Sequence, residues 1–214
     1  MKYNGIIFDC DGTLVLTEHI NAESIQEILA IYDINLNTLE IRKKYSGQSI
    51  LTTIQQIQEE YNLIIPNFFE KFREISKNKK INGLETTKGT IQAIKTITEL
   101  EINYAIASNS PHNVIKESIK SIQDINLSDE LIISAYDYNK FKPDPYIFKH
   151  ASKKLLIPEN KLLIIEDSIS GIKAALQTDS TPIIILNGDN DHMKDAFPEV
   201  KKIEDMQEIL NYIN

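Results

Sequence analysis

The sequence predicts a doubly wound α/β fold, in which a parallel β-sheet carries helices on both faces and a helical insert interrupts the order. Short apolar runs recur along the chain, and amphipathic segments of helical length lie between them. Strands of a parallel sheet are buried on both faces, so they read as continuous apolar runs rather than alternating ones. A long interval after the first run has no strand-like segment, and this interval indicates the insert.

Five apolar runs are predicted to be strands of this sheet. They are residues 6–8, 104–107, 131–133, 162–165 and 183–186. Residues 90–100 and 113–122 carry apolar side chains at helical spacing and predict crossover helices, and a further helix is expected to begin near Tyr146. The alternation of strand and helix predicts a doubly wound parallel sheet.

The insert is predicted to be wholly helical. Its apolar residues recur three and four positions apart, as in Ile25, Ile28 and Leu29, and Pro66 suits the start of its last helix. We therefore expect residues 1–16 and 83–214 to form the core and residues 17–82 a helical domain. Hinges are predicted near residues 16–18 and 82–86.

Composition narrows the class of protein. The chain has 214 residues, of which 42% are hydrophobic and 25% are charged, as in ordinary globular proteins. Its formal net charge of −8 argues against a nucleic-acid partner. Cys10 is the only cysteine, which excludes an intrachain disulfide and a zinc site of several thiolates. With no secretory segment and no run of about 18 apolar residues, we expect a cytoplasmic protein without a membrane partner.

The sharpest motif is Asp9-Cys10-Asp11-Gly12-Thr13, directly after the first predicted strand. Carboxylates at the carboxyl end of a parallel strand point into the crevice where such sheets bind ligands. Two close anions repel, so they favour a divalent cation or a shared proton. Gly12 allows a sharp turn. Taken alone, the motif also fits a solvated turn.

Three further polar motifs are predicted at the same sheet edge. They are Ser108-Asn109-Ser110, Lys142-Pro143-Asp144-Pro145 and Glu166-Asp167-Ser168. Each has an ordinary explanation by itself: Ser108 or Ser168 as a helix cap, Lys142 as a surface lysine, and the acidic pair as solvated. Their complementary chemistry at one edge favours a single site.

Together these groups predict phosphoryl transfer. Asp9 and Asp167, with Glu166, offer hard oxygen ligands suited to Mg²⁺. An aspartate such as Asp9 can form an acyl phosphate, and Asp11 can protonate the leaving oxygen and later deprotonate water.

The remaining predicted residues bind the phosphoryl group. Lys142 and the Ser108 hydroxyl are expected to hold its oxygens as charge develops. Backbone N–H groups at Cys10, Gly12 and Asn109 are expected to add an anion-binding nest.

These motifs resemble the four motifs of the haloacid dehalogenase superfamily, in the same order. The resemblance implies that Asp9 is the nucleophile and Asp11 the acid/base. It also implies that Ser108 and Lys142 are the second- and third-motif residues, and that Mg²⁺ is held by Asp9, Asp167 and the Asp11 backbone carbonyl with help from Glu166. It extends over the whole chain, implying a Rossmann-like catalytic core with a small helical cap at residues 17–82.

The branch resembled is that of phosphoglycolate phosphatase and β-phosphoglucomutase, which act on phosphorylated sugars and other small metabolites. Two positions depart from its pattern: Leu16 precedes Thr17 where an aspartate often precedes Ser or Thr, and Asp179-Ser180 stands where Ala-Gly is common. A histidine that mutases carry after the first motif corresponds to Asn21 here, and His19 would face elsewhere on a helix. We therefore expect a phosphatase, with a β-phosphoglucomutase-like enzyme as the alternative.

The cap segment Ser46-Gly47-Gln48-Ser49 resembles the family's substrate-facing loop, so Gly47 and Gln48 are predicted substrate contacts, although a simple turn between helices fits equally. His112 and Asn113 are expected either to reach substrate or to cap a helix.

Two alternatives come from other classes. A receiver-type phosphoacceptor module also combines aspartates, Mg²⁺, a hydroxyl and a lysine, but its acidic cluster precedes its lysine and it has no such insert. A silent binding protein on the same scaffold would not need reactive residues at all four motifs. No coiled-coil seam indicates an oligomer, and we expect a monomer or a weak dimer.

Overall fold

The computed structural model describes residues 2–45, 50–80, 83–122 and 125–213. The chain divides into two compact units. The core unit comprises Met1–Leu16 and Leu84–Asn214, and the helical unit comprises Thr17–Gly83. Among the helices of the described residues, none has both the length and the apolarity needed to cross a bilayer.

The core unit is built on a parallel sheet with six strands among the described residues. They are β1 (Gly5–Phe8), β2 (Asn103–Ser108), β3 (Ile132–Ser134), β4 (Leu162–Glu166), β5 (Thr181–Ile185) and β6 (Lys201–Ile203). The strand order is β3-β2-β1-β4-β5-β6, and every neighbouring pair is parallel. The order reverses between β1 and β4, and a crevice opens beyond the carboxyl ends of strands at such a point.

The helices of the described residues, in chain order, fall into two sets. Those of the helical unit are α1 (Glu18–Ala30), α2 (Thr38–Tyr45), α3 (Ile50–Glu60) and α4 (Phe68–Lys80). Those of the core unit are α5 (Thr90–Glu99), α6 (His112–Ile119), α7 (Ala135–Tyr138), α8 (Tyr146–Leu155), α9 (Ile169–Ala175), α10 (Met193–Ala196) and α11 (Leu210–Ile213). Short 3₁₀ turns occupy Asp129–Leu131, Glu159–Lys161 and Met206–Ile209.

Burial explains why these strands form where the sequence predicts them. All residues of β1 and β4 are buried, so both faces of the sheet centre are covered. Ile7, Ile164 and the small Ala105 share one apolar cluster with Phe148 of α8. The central strands and their helix thus hold the loops beyond β1 and β4 on a rigid base.

The helical unit has an apolar core of its own. Ile25 and Leu29 of α1, Ile57 of α3 and Phe72 of α4 belong to one buried cluster. The sequence predicted helices at these positions from the spacing of their apolar residues. The function of this unit as a cap remains a prediction.

The structure differs from the sequence-based prediction at several element ends. Strand β3 begins one residue late because Leu131 closes a 3₁₀ turn. Leu186 lies beyond the end of β5. Strand β6 was not predicted, because two of its three residues are lysines. It pairs through its backbone at the sheet edge, where one buried side chain, Ile203, is enough to anchor it.

Candidate active site

The Asp9–Asp11 turn begins where β1 ends. The Asp9 N–H donates to the Ile165 carbonyl of β4 at 3.0 Å, so the aspartate stands at the boundary between the two central strands. Gly12 has a φ of 85°, and a Cβ there would lie 2.1 Å from Oδ2 of Asp167. Only glycine therefore permits both the left-handed turn and the close approach of the Asp167 carboxylate.

Lys142 connects the ends of β1 and β4. Its ammonium Nζ lies 2.5 Å from Oδ1 of Asp9 and 2.5 Å from Oε1 of Glu166. The side chain is buried, with Nζ 4.9 Å from the centre of the Phe148 ring. The Lys142 N–H donates to Oδ1 of Asn109 at 2.9 Å, which fixes the loop that carries the lysine.

Burial and these contacts set the charges. Burial raises the pKa of Asp9 to about 7, the negative charges of Glu166 and Asp11 act in the same direction, and Lys142 opposes them. Burial by itself would lower the pKa of Lys142, but the carboxylates of Asp9 and Glu166 hold it above its usual value. Lys142 is therefore cationic, and it shares its charge between two carboxylates.

Glu166 is fully enclosed by partners. Besides the contact with Lys142, its Oε2 accepts from the N–H of Asp167 at 3.0 Å, from the N–H of Ser168 at 3.0 Å and from the Ser168 hydroxyl at 2.9 Å. Ser168 also caps α9, because its Oγ accepts from the Gly171 N–H at 3.1 Å. The cap role weighed for Ser168 is thus real, and the same hydroxyl also fixes Glu166.

Asp167 presents its carboxylate beside Asp9. Its Oδ1 accepts from the Thr13 hydroxyl at 3.1 Å, and its Oδ2 accepts from the Asn187 carboxamide at 3.4 Å. Ligand oxygens of Asp9, Glu166 and Asp167 lie within 4.8 Å of one another. Three clustered carboxylates with one lysine leave net negative charge, and this donor set fits a hard divalent cation such as Mg²⁺.

Asp11 is held by Ser110, which is itself held by serines at the ends of β2 and β3. The Ser110 hydroxyl donates to Oδ2 of Asp11 at 2.7 Å, and the Ser110 N–H donates to Oγ of Ser108 at 3.0 Å. The Ser134 hydroxyl at the end of β3 donates to the Ser110 carbonyl at 2.8 Å. The loops after β1 and β2 therefore meet at Asp11, and the end of β3 supports Ser110.

A family model described as haloacid dehalogenase-like hydrolase matches residues 6–185. The chain belongs to the haloacid dehalogenase-like hydrolases. The matched range contains all four motifs predicted from the sequence, so the predicted family and α/β fold class are confirmed.

Two relatives of this hydrolase are named as phosphatases. It is 23% identical over 177 residues to 6-phosphogluconate phosphatase of Escherichia coli (strain K12), covering 82% of this chain and 79% of that one. It is 24% identical over 176 residues to a phosphorylated carbohydrates phosphatase of Thermotoga maritima, covering 79% of each. The prediction of a phosphatase-type hydrolase is thereby confirmed.

A solved structure supports the fold independently. A haloacid dehalogenase-like protein of unknown function from Agrobacterium tumefaciens str. C58 superposes with a TM-score of 0.83 at 23% identity, covering 99% of this chain and 97% of that one. Receiver-type modules have the strand order 2-1-3-4-5, so the sheet order found here and the family match both exclude that alternative.

In this hydrolase, most of the predicted site residues meet at one place. Asp9, Lys142, Glu166 and Asp167 are in direct or near contact, and Asp11 and Ser108 are joined through Ser110. Asn109 contacts the backbone of Lys142. Their catalytic and binding roles remain predictions.

Five other predicted contact residues have different outcomes. The Gly12 N–H donates to the Val15 carbonyl at 2.7 Å, so that group is not part of the predicted anion nest. The Cys10 side chain is buried, which leaves only its backbone to contribute. Gly47 and Gln48 lie outside the described residues. His112 begins α6, and its Nδ1 lies 3.7 Å from Oδ2 of Asp137.

Sequence reasoning missed the residues that hold the acidic groups in place. They are Thr13, Ser110, Asn187 and Asn190, while Gly171 leaves the space that the Glu166 carboxyl occupies. Asn187 and Asn190 follow β5, so the rule that carboxyl ends of parallel strands converge would have pointed to them. The contact of Gly171 with Glu166 had no sequence signal, because a glycine three residues into a helix resembles any other.

Proposed function

We propose that this protein is a Mg²⁺-dependent phosphatase of small phosphorylated sugars or sugar acids, acting through an aspartyl-phosphate on Asp9. The observation that carries the proposal is the placement of Lys142, 2.5 Å from Asp9 and 2.5 Å from Glu166, beside Asp167. This arrangement gathers a carboxylate nucleophile, a fixed cation and metal-binding carboxylates at the switch point of the sheet.

The proposed metal ligands are Asp9, Asp167 and the backbone carbonyl of Asp11. Glu166 is a weaker candidate, because its oxygens accept hydrogen bonds from Lys142, Asp167 and Ser168. When bound, Mg²⁺ supplies positive charge that lowers the repulsion between the nucleophile and the phosphate dianion.

In the first half-reaction, a carboxylate oxygen of Asp9 attacks phosphorus and the bond to the ester oxygen breaks. Asp11, in its acid form, donates a proton to the leaving alkoxide, which departs as an alcohol. Lys142 orients Asp9 and balances its charge at a site that is otherwise strongly acidic. The Ser108 hydroxyl and the backbone N–H of Asn109 are proposed to bind phosphoryl oxygens as they gain charge.

In the second half-reaction, water attacks the phosphorus of the acyl phosphate and Asp11 accepts its proton. The bond between phosphorus and the Asp9 oxygen breaks, inorganic phosphate is released and the carboxylate is regenerated. The 2.7 Å hydrogen bond from Ser110 supports the proposed role of Asp11, because it keeps that carboxyl at the sheet edge.

The substrate class rests on the two relatives, which are named for 6-phosphogluconate and for phosphorylated carbohydrates. The test is phosphate release from a panel that contains 6-phosphogluconate, hexose 6-phosphates, hexose 1-phosphates and 2-phosphoglycolate, with Mg²⁺. Asp9→Asn is expected to abolish release. Asp129→Asn is the matched control, since Asp129 is exposed and paired with Lys116. Release that persists in Asp9→Asn would refute the nucleophile assignment.

The same incubation separates hydrolysis from the mutase alternative. A phosphatase yields inorganic phosphate and free sugar from a hexose 1-phosphate. Formation of hexose 6-phosphate, detected by ³¹P NMR, would favour a β-phosphoglucomutase-like enzyme instead.

A further inference from the structure

The loop after β5 carries two asparagines whose carboxamides are fully used. Asn187 donates from Nδ2 to the Gly12 carbonyl at 2.8 Å and to Oδ2 of Asp167 at 3.4 Å, while its Oδ1 accepts from the Asp189 N–H at 2.9 Å. These partners fix the amide orientation, because the Gly12 carbonyl and the Asp167 carboxylate accept hydrogen bonds and the Asp189 N–H donates one. Asn187 therefore joins two site segments that are distant in sequence.

Asn190 fixes the loop that carries Asn187. It is buried, its Oδ1 accepts from the Asn187 N–H at 3.0 Å, and its Nδ2 donates to the carbonyls of Asp167 and Ile185 at 2.9 Å each. The backbone of Asp167 is thus held by one asparagine and its carboxylate by the other. Such a network is rigid, because every partner is satisfied.

The chemistry of these donors differs from that around Glu166. Glu166 contacts the Lys142 ammonium, whereas Thr13 and Asn187 donate to Asp167 without bringing a positive charge. Neutral donors such as these orient a carboxylate without adding a positive charge. Groups that orient metal ligands in this way commonly change metal affinity 10- to 100-fold when they are removed.

We propose that Asn187 is a positioning residue for the cation site, which holds the Asp167 carboxylate against the Asp9–Gly12 turn in the geometry that binds Mg²⁺. The inference rests on the proposed function for the identity of the site. It adds a residue outside the four motifs and assigns that residue to metal affinity rather than to the chemical step.

The test is Mg²⁺ binding measured by isothermal titration calorimetry on wild type, Asn187→Ala and the same-loop control Asp191→Ala. Asp191 is exposed and pairs with Lys194 at 2.9 Å. Asn187→Ala is expected to raise the Mg²⁺ dissociation constant at least tenfold, and Asp191→Ala is expected to leave it unchanged. Phosphatase kcat at saturating Mg²⁺ is expected to return close to wild type in Asn187→Ala, because the chemical groups are intact.

Thermal unfolding without Mg²⁺ separates positioning from general destabilisation. Asn187→Ser keeps a polar group at this half-buried position and serves if the alanine variant does not fold. An unchanged Mg²⁺ dissociation constant in a folded Asn187 variant overturns the inference, and so does a kcat that stays low at saturating Mg²⁺. Wild-type protein that binds Mg²⁺ but releases no phosphate from any substrate counts against the proposed function alone. Wild-type protein that does not bind Mg²⁺ overturns both.

Discussion

Gly171→Ala is expected to destabilise the protein, although alanine is the better helix former. Gly171 lies inside α9, where replacing glycine by alanine normally stabilises by about 1 kcal/mol. Here a Cβ would lie 1.9 Å from both Cδ and Oε1 of the buried Glu166 carboxyl. Helix propensity alone predicts that Gly171→Ala stabilises the protein, whereas this contact predicts that it destabilises the protein.

The size of the effect follows from the contacts of Glu166. Ordinary Cβ contacts begin at 3.4 Å, so relief of the 1.9 Å approach requires a shift of about 1.5 Å. A shift of that size would break the 2.5 Å contact between Lys142 and Glu166 and strain the hydrogen bonds from Asp167 and Ser168. Overpacking costs about 1–3 kcal/mol and breaking a buried ion pair about 3–5 kcal/mol. With partial relaxation and the gain in propensity, we expect a net loss of about 3 kcal/mol.

Urea unfolding of wild type, Gly171→Ala, Glu166→Ala and the double variant measures this coupling as a double-mutant cycle. Because Glu166→Ala removes the carboxyl that the new methyl group would strike, Gly171→Ala is expected to be neutral or stabilising in that background. A loss of about 3 kcal/mol lowers the melting temperature of a chain of this size by about 6–12 °C. Gly171→Ala with wild-type stability, or an equal loss in both backgrounds, would refute the reasoning.

Three further predictions concern the same site. Lys142→Met leaves Asp9 and Glu166 buried without their cation, so we expect a loss of about 3–5 kcal/mol in urea unfolding at pH 8, and wild-type stability there would contradict it. Burial raises the pKa of Asp9 to about 7, and Mg²⁺ competes with its proton. The Mg²⁺ affinity measured by calorimetry should therefore fall below pH 7, by a factor that approaches ten for each pH unit. An affinity independent of pH between 5.5 and 7.5 would exclude this linkage. Ser168→Ala removes the cap of α9 and a donor to Glu166, so thermal unfolding should show a loss of about 1–2 kcal/mol, whereas Ser168→Asn should retain part of the cap.

The sequence alone predicted the architecture because its signals are local. Continuous apolar runs predicted β1 and β4, because a strand buried on both faces needs an apolar residue at every position. Apolar residues at helical spacing predicted the helical unit, because each of its helices buries one face. Strand β6 was not predicted from the sequence, because an edge strand needs few apolar residues. The four motifs could be assigned to one edge because parallel strands with crossover helices end on the same side.

The partners of each site residue were decided by the tertiary structure. The sequence named Asp9, Lys142 and Glu166, but it did not show that one ammonium contacts both carboxylates. It offered a helix cap or a place in the polar motif Glu166-Asp167-Ser168 for Ser168, and the folded chain uses its hydroxyl for the cap and for Glu166 together.

The Asp9–Asp11 pair shows what the sequence alone can predict about the site and what it cannot. Two aspartates after a buried strand predicted a site for a divalent cation or a shared proton, because residue types and strand ends can be recognised locally in the sequence. The sequence could not place Asn187 beside Asp167, or Gly171 against Glu166, because those contacts depend on loops brought together only when the sheet has closed around β1 and β4. Distances of a few ångströms between segments far apart in the chain are set by packing, and they decide the charge of Asp9 and the orientation of its neighbours.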